Sequence, residues 1–271
     1  MLGGKDMMNL NNLAITLALI FSFAFPIGMV IWWKKKTDAK LWPFIVGAIC
    51  FTLFAMVLEQ LLHTFCVVLD NPVSKLINGN PVAFMLYGAL AAGIFEETGR
   101  LFGFKVLLKK YNDKNTAVAY GIGHGGIEVI LLLGFTYLFY FLAICGVSVG
   151  TEKATQTLLG TAGAIDVGTV CMAMFERIST MIVHISLSMI VFVAAKQRGK
   201  LWLYPVAILM HALLDAPAAL FQSGVPIPMI ALEAEIFAVA IVYFFIGKKL
   251  LNGYQAEEGI SGQSFPSYQR T

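Results

Sequence analysis

Four short segments place acidic, basic and imidazole side chains in the middle of otherwise apolar runs. They are Glu96-Glu97-Thr98-Gly99-Arg100, Gly121-Ile122-Gly123-His124-Gly125-Gly126-Ile127-Glu128, Glu176-Arg177 followed by His184, and His211-Ala212-Leu213-Leu214-Asp215. Helical spacing sorts them into faces. Glu96 and Arg100 are four apart and Glu97 and Arg100 three apart, so either carboxylate can pair with the guanidinium. His124 and Glu128 share a face, as do His211 and Asp215, and Arg177 and His184 at seven residues. Carboxylates beside imidazoles suit the activation of water. Glu96 or Glu97 can serve as general base, with burial and Arg100 setting its proton affinity. His124 and His211 can orient the water or bind a developing oxyanion, and Asp215 can fix the tautomer of His211. His184 and Glu128 complete a polar shell. Alternatively, His124, His184 and His211 on different helices can hold a Zn²⁺ ion that generates hydroxide near neutral pH, although no HExxH run is present.

The elements that must position these groups are membrane helices. Apolar residues make up 58% of the 271-residue chain and charged residues 13%, where a soluble domain carries about 25% charged. Mean hydropathy is +0.78. Runs long enough to cross ~30 Å of hydrocarbon lie near 10–33, 41–69, 82–108, 115–144, 166–195, 201–221 and 226–247. The expected fold is all-α, a polytopic transmembrane helical bundle of about seven spans. Continuous runs of this kind disfavour a β-barrel, whose strands alternate. Residues 1–253 are expected to form one transmembrane domain with its motif core at 82–221. Residues 254–271 form a polar tail rich in Gly, Ser and Gln, expected to be disordered. The first run does not read as a cleavable signal: its leader pairs Lys5 with Asp6, and it ends at Trp32-Trp33-Lys34-Lys35-Lys36, an interfacial stop. Cys50, Cys66, Cys145 and Cys171 are read as small apolar packing residues rather than a metal or disulfide framework. The segment from Gly146 to Asp166 is expected to be partly structured.

Lysine and arginine placement sets an orientation. Lys34, Lys35, Lys36, Lys40, Lys105, Lys109, Lys110, Lys114, Lys196, Arg198, Lys200, Lys248, Lys249 and Arg270 fall on one side of seven single crossings, and Lys5, Lys75 and Lys153 on the other. The positive-inside rule then puts the amino terminus outside and the carboxyl terminus in the cytoplasm. With 1.5 Å of rise per residue, Arg100, His124, His184 and His211 lie roughly 12–18 Å from the lysine-rich surface. Helices running in opposite directions thus place polar groups in one layer. A charge at mid-membrane costs about 2.5–3.5 kcal/mol by insertion scales, so such groups face partners or a wet cavity. A single intramembrane His or Glu can serve only to bond two helices, but a layered set points to function. The cavity they surround is expected to open toward the cytoplasmic half of the bilayer. Glu59, Gln60, His63, Glu233 and Glu235 are read as interhelical bonds or cavity lining. Gly99 and Gly103, and Gly121 and Gly125, have the spacing that lets helix backbones approach closely.

At these residues the sequence resembles the YhfC-like family, related to PrsW-like proteins and to the CAAX-protease and bacteriocin-processing superfamily of intramembrane peptidases. The resemblance rests on four motifs in order: Glu96-Glu97-Thr98-Gly99-Arg100, the GxGH run to Glu128, the Arg177 to His184 segment, and His211 with Asp215. The prenyl-protein peptidase branch has EExxxR and a final His-Asn pair, whereas this chain has EExxR and Asp215, which weakens any transfer of prenyl-cysteine substrates. The resemblance implies an intramembrane peptidase acting on a membrane-embedded peptide or protein in the bilayer. Its water is activated by glutamate without a cofactor, or by a bound metal such as Zn²⁺. No nucleic-acid partner is expected, and the expected setting is a bacterial cytoplasmic membrane. A proton-coupled transporter is the second class, since buried Glu, His and Asp also move protons, but no inverted repeat is evident. A noncatalytic membrane partner of an export or processing complex is the third.

Overall fold

An apolar run inside a bilayer must satisfy its backbone polar groups internally, and a single segment does so as an α-helix. The computed structural model describes residues 4–255, and the regular elements among them are all helical. In chain order they are α1 (Gly4–Thr37), α2 (Trp42–Val68), α3 (Pro72–Asn78), α4 (Pro81–Leu107), α5 (Lys114–Ile144), α6 (Glu152–Ala164), α7 (Val167–Lys196), α8 (Leu203–Gln222) and α9 (Met229–Asn252). Helices α1, α2, α5, α7, α8 and α9 are long and apolar enough to cross a membrane. The pair α3 and α4, bent by 106° at its joint, makes up to a seventh. The polar tail beyond residue 255 lies outside the described residues.

Local chemistry sets the boundaries. Asn71 accepts from the N–H groups of Val73 and Ser74, and Asn80 from those of Val82 and Ala83, each just before a proline at the first helical position. The two caps bracket α3 and fix the bend into α4. Asp113, Thr151 and Asp166 cap α5, α6 and α7. Bonds donated by the backbone N–H and hydroxyl of Thr169 hold the Asp166 carboxyl below the usual carboxylate range. The segment expected to be partly structured is α6, a full helix. Cys50 and Cys66 are buried, as packing residues should be, but Cys145 and Cys171 are exposed.

Helix α7 is the axis of the bundle. Every residue from Val183 to Ala194 is buried, and α9, α5, α8, α4 and α1 pack around it. Glycines let the motif helices touch backbone to backbone. A Cβ on Gly123 would lie 1.9 Å from the carbonyl oxygen of Phe44, and one on Gly47 would lie 2.2 Å from that of Tyr120, so α2 and α5 meet without side chains between them. Gly121 approaches the Cα of Ile185 on α7 in the same way, and Gly93 on α4 approaches the Ile208 carbonyl on α8. Gly99 and Gly103 instead receive the rings of Phe54 and Tyr120. Leu10, Leu13, Leu17 and Ile20, spaced three and four apart on α1, stay about half exposed and form a lipid-facing stripe.

Three of the long helices widen into π-helical turns: Phe54–Glu59 and Thr64–Val68 in α2, Gly103–Leu107 in α4 and Val129–Gly134 in α5. Such turns rotate the face that follows and recur near functional sites. Glu59 ends one of them, and Glu128 immediately precedes another.

A buried carboxylate and histidine cluster as the candidate active site

The nine ionisable residues singled out from the sequence form one connected network. On α4, Arg100 is fully buried and reaches both preceding carboxylates: Nη1 donates to Glu97 Oε1, and Nη2 donates to Glu96 Oε2 at 3.5 Å. Across the helix contacts, His124 Nε2 of α5 lies 2.9 Å from Glu96 Oε2. His211 Nδ1 of α8 lies 2.6 Å from Glu97 Oε1, and its Nε2 stands 3.3 Å from Asp215 Oδ2 and 3.9 Å from Glu96 Oε1. On α7, His184 accepts from Arg100 at Nδ1, while its Nε2 faces Glu128 of α5. Arg177 closes the far end by donating to Glu128 Oε1 at 2.6 Å and to the adjacent Glu176.

The pairings differ from a reading of helix faces alone. His124 and Glu128 share a face yet bond to different helices, His124 to Glu96 and Glu128 to His184. Arg177 and His184 likewise meet through Glu128 rather than directly. The within-helix pairs Glu96 with Arg100 and His211 with Asp215 are formed.

Six of the nine line a cavity of about 470 Å³: Glu96, Glu128, Arg177, His184, His211 and Asp215. Glu97, Arg100 and His124 are fully buried behind its wall. Of the two glutamates expected to compete for the role of base, Glu96 therefore faces the cavity and Glu97 supports Arg100 and His211 from behind. The cavity does not open in the expected direction. Its outer lining comes from Val67 and Val68 of α2, Phe84 of α4, Arg177 of α7 and Gln222 of α8, all in the half of the bundle that ends on the lysine-poor side. The lysine-rich side is plugged by packed rings. The Phe104 ring lies tilted 4.5 Å from that of Tyr120 and edge-on 5.3 Å from that of Phe192, and all three are fully buried. Equal depth from the lysine-rich surface could not reveal which half was filled with aromatic side chains.

Three of these side chains converge as metal ligands do. Glu96, His124 and His184 each offer an atom within 4.8 Å of the others'. His211, expected as the third histidine ligand, stands outside that group because Glu97 and Asp215 face its two nitrogens. Two imidazoles and a carboxylate are the three-ligand set of a catalytic zinc site. The second nitrogen of His184 meets a carboxylate, Glu128, which is the usual outer partner of a ligating histidine. His124 Nδ1 is buried without a hydrogen-bond partner. The residues fit a divalent metal, which on His184 Nδ1 would take the place of the Arg100 guanidinium.

Sequence reasoning missed one participant. Tyr87 of α4 places its hydroxyl 2.7 Å from His63 Nδ1, and His63 Nε2 lies 3.2 Å from Glu59 Oε1. All three line the cavity. A tyrosine in an apolar run carries no signal of its own, since its ring suits a membrane helix whether or not its hydroxyl has a partner. Of the residues read as interhelical bonds or cavity lining, Glu59 and His63 line the cavity and His63 also bonds across to Tyr87, whereas Gln60, Glu233 and Glu235 are not among the lining residues.

A Bacillus subtilis (strain 168) protein described as "Uncharacterized membrane protein YhfC" is 32% identical over 247 residues, covering 87% of this chain and 95% of that one. No solved structure matches. The family model described as YhfC intramembrane metalloprotease matches residues 21–238, which hold every residue of the network. With most of its length so matched, and its buried cluster inside the match, this chain belongs to the YhfC intramembrane metalloprotease family.

Proposed function

We propose that this protein hydrolyses peptide bonds of membrane-embedded peptides or proteins, with Glu96, His124 and His184 holding a metal at the floor of the cavity. The observation that carries the reading is the convergence of those three groups from α4, α5 and α7 within 4.8 Å, beside a cavity large enough for a peptide segment. A divalent ion such as Zn²⁺ held by these three residues would supply an activated water near neutral pH and a Lewis acid for the carbonyl. The remaining steps belong to the protein. Arg100 balances the paired carboxylates Glu96 and Glu97, so that neither is buried as an unpaired charge. Glu128, anchored by Arg177, fixes the ring of His184. His211 stands between Glu97 and Asp215, so a proton taken up on its ring meets a carboxylate on each side. Its Nε2 is the donor aimed into the cavity, placed to stabilise the developing oxyanion or protonate the leaving amine.

A metal-free variant of the same reading is favoured by one contact: Arg100 Nη2 touches both Glu96 and His184, supplying positive charge where a metal would. Glu96 then acts as general base on a water. Both variants are tested on purified protein in detergent, by metal analysis and by cleavage of fluorogenic apolar peptides. The expected result is bound metal, activity lost to a chelator and restored by Zn²⁺, and a loss of about 10²–10⁴ in kcat for Glu96→Gln. Activity untouched by metal removal would select the metal-free variant. An undiminished Glu96→Gln enzyme would overturn both, and an inactive wild type that holds metal would point to a carrier or scaffold.

A further inference from the structure

The cavity has a second polar station, away from the candidate metal ligands. Glu59 of α2 is 6% exposed and projects from an apolar helix at a depth where a charge is costly. No lysine or arginine among the described residues reaches it, and its ion-pair partner is His63, which touches Oε1 and leaves Oε2 for a ligand. The Tyr87 hydroxyl can donate to His63 Nδ1 while Nε2–H donates to Glu59, so both ring nitrogens are engaged and the ring is held against the carboxylate. Elsewhere on the cavity wall the carboxylates have partners already described: Arg177 engages Glu128 and Glu176, Arg100 reaches Glu96 from behind the wall, and His211 stands beside Asp215. Glu59 is thus the buried carboxylate of the wall that no lysine or arginine reaches among the described residues.

From this we infer that Glu59, oriented by His63 and Tyr87, is a specificity subsite that binds a basic side chain of the peptide substrate. The inference rests on the proteolytic reading of the Glu96 cluster and adds a substrate class to it. Tyr87 precedes Glu96 by nine residues on α4, about 13 Å along the helix axis. An extended peptide covers that distance in about four residues at ~3.3 Å each. The substrate is thus an apolar segment with a lysine or arginine about four positions from the bond that is cut. Because the subsite lies on the lysine-poor side of the cluster, the basic residue leads from that side.

The test uses the full chain in detergent and a series of apolar peptides with a fluorescent reporter, carrying lysine or norleucine at successive positions. Kd is read by fluorescence and the cut position by mass spectrometry. A lysine about four residues from the cut is expected to bind about tenfold more tightly than norleucine, and Glu59→Gln to bring that ratio to about one. Acetylation of the peptide lysine is expected to do the same on the wild-type protein. A carbodiimide should join that lysine to Glu59 of the unaltered protein, as an amide found by peptide mapping, so the subsite is judged even where the variant does not fold. Equal Kd for lysine and norleucine at every position, or coupling to Glu176 or Asp215 in place of Glu59, would overturn the subsite. Failure of the wild type to cut any peptide would overturn the proteolytic reading instead, while the Kd ratio and the coupled residue still decide the subsite.

Discussion

At the scale of single residues, the cluster separates groups that touch the cavity from groups that hold them. His124 lies behind the wall against Glu96, whereas His211 faces the cavity and stands outside the three-residue donor set. The two histidines should therefore fail differently. His124→Ala is expected to lose both bound metal and cleavage. His211→Ala is expected to keep its metal and still lose cleavage by about 10² or more, because an oriented donor is missing. Metal content by mass spectrometry beside kcat separates the two, and equal metal loss in both would place His211 among the ligands. The residue types were legible in the sequence, and so were pairs within one helix, such as Glu96 with Arg100, because helical geometry sets them. Partners across helices were not. Nothing local shows that Glu97 rather than Glu96 receives His211, or that Glu128 leaves His124 for His184, since those choices depend on helix rotation and on which helices adjoin.

At the scale of elements, spans were legible because a bilayer demands long apolar runs, and each expected span coincides with a helix to within about five residues. For α6 only partial structure in its segment was legible, and the π-helical turns were not legible at all, because neither departs from an ordinary composition or run length. The packing of α2 on α5 is what brings His124 to its place, and that packing rests on bare backbone. A methyl group at Gly123 would meet the Phe44 carbonyl at 1.9 Å, a contact that only movement of the whole helix relieves. Gly123→Ala is expected to cost about 1–3 kcal/mol, the range for overpacked sites, and to lower activity by displacing the neighbouring His124. Gly28→Ala has open space around it and should change neither. Thermal melting of the two variants in detergent checks the difference, and equal melting points would mean that α2 and α5 are not so closely joined.

At the scale of the whole molecule, charge and cavity point to opposite sides. Thirteen lysines and arginines among the described residues mark one surface, and the aromatic plug of Phe104, Tyr120 and Phe192 lies on that side of the cluster. The cavity reaches the cluster from the other surface, which carries the bend at α3 and the segment holding α6. If the lysine-rich surface is cytoplasmic, as the positive-inside rule holds, the site draws its substrate from the extracytoplasmic half of the bilayer. The protein contains its own reporter for this orientation. Cys145 is exposed just after α5 on the lysine-poor side, while Cys50 and Cys66 are buried. A membrane-impermeant maleimide added to intact cells is expected to label Cys145. A cysteine placed in the lysine-rich turn after α4, as Lys110→Cys in a Cys145→Ser background, should be labelled only once the cells are opened. Cys145→Ser alone supplies the background from the remaining exposed Cys171. Labelling of Lys110→Cys in intact cells, with Cys145 protected, would invert the molecule, and the cavity would then receive its peptides from the cytoplasm.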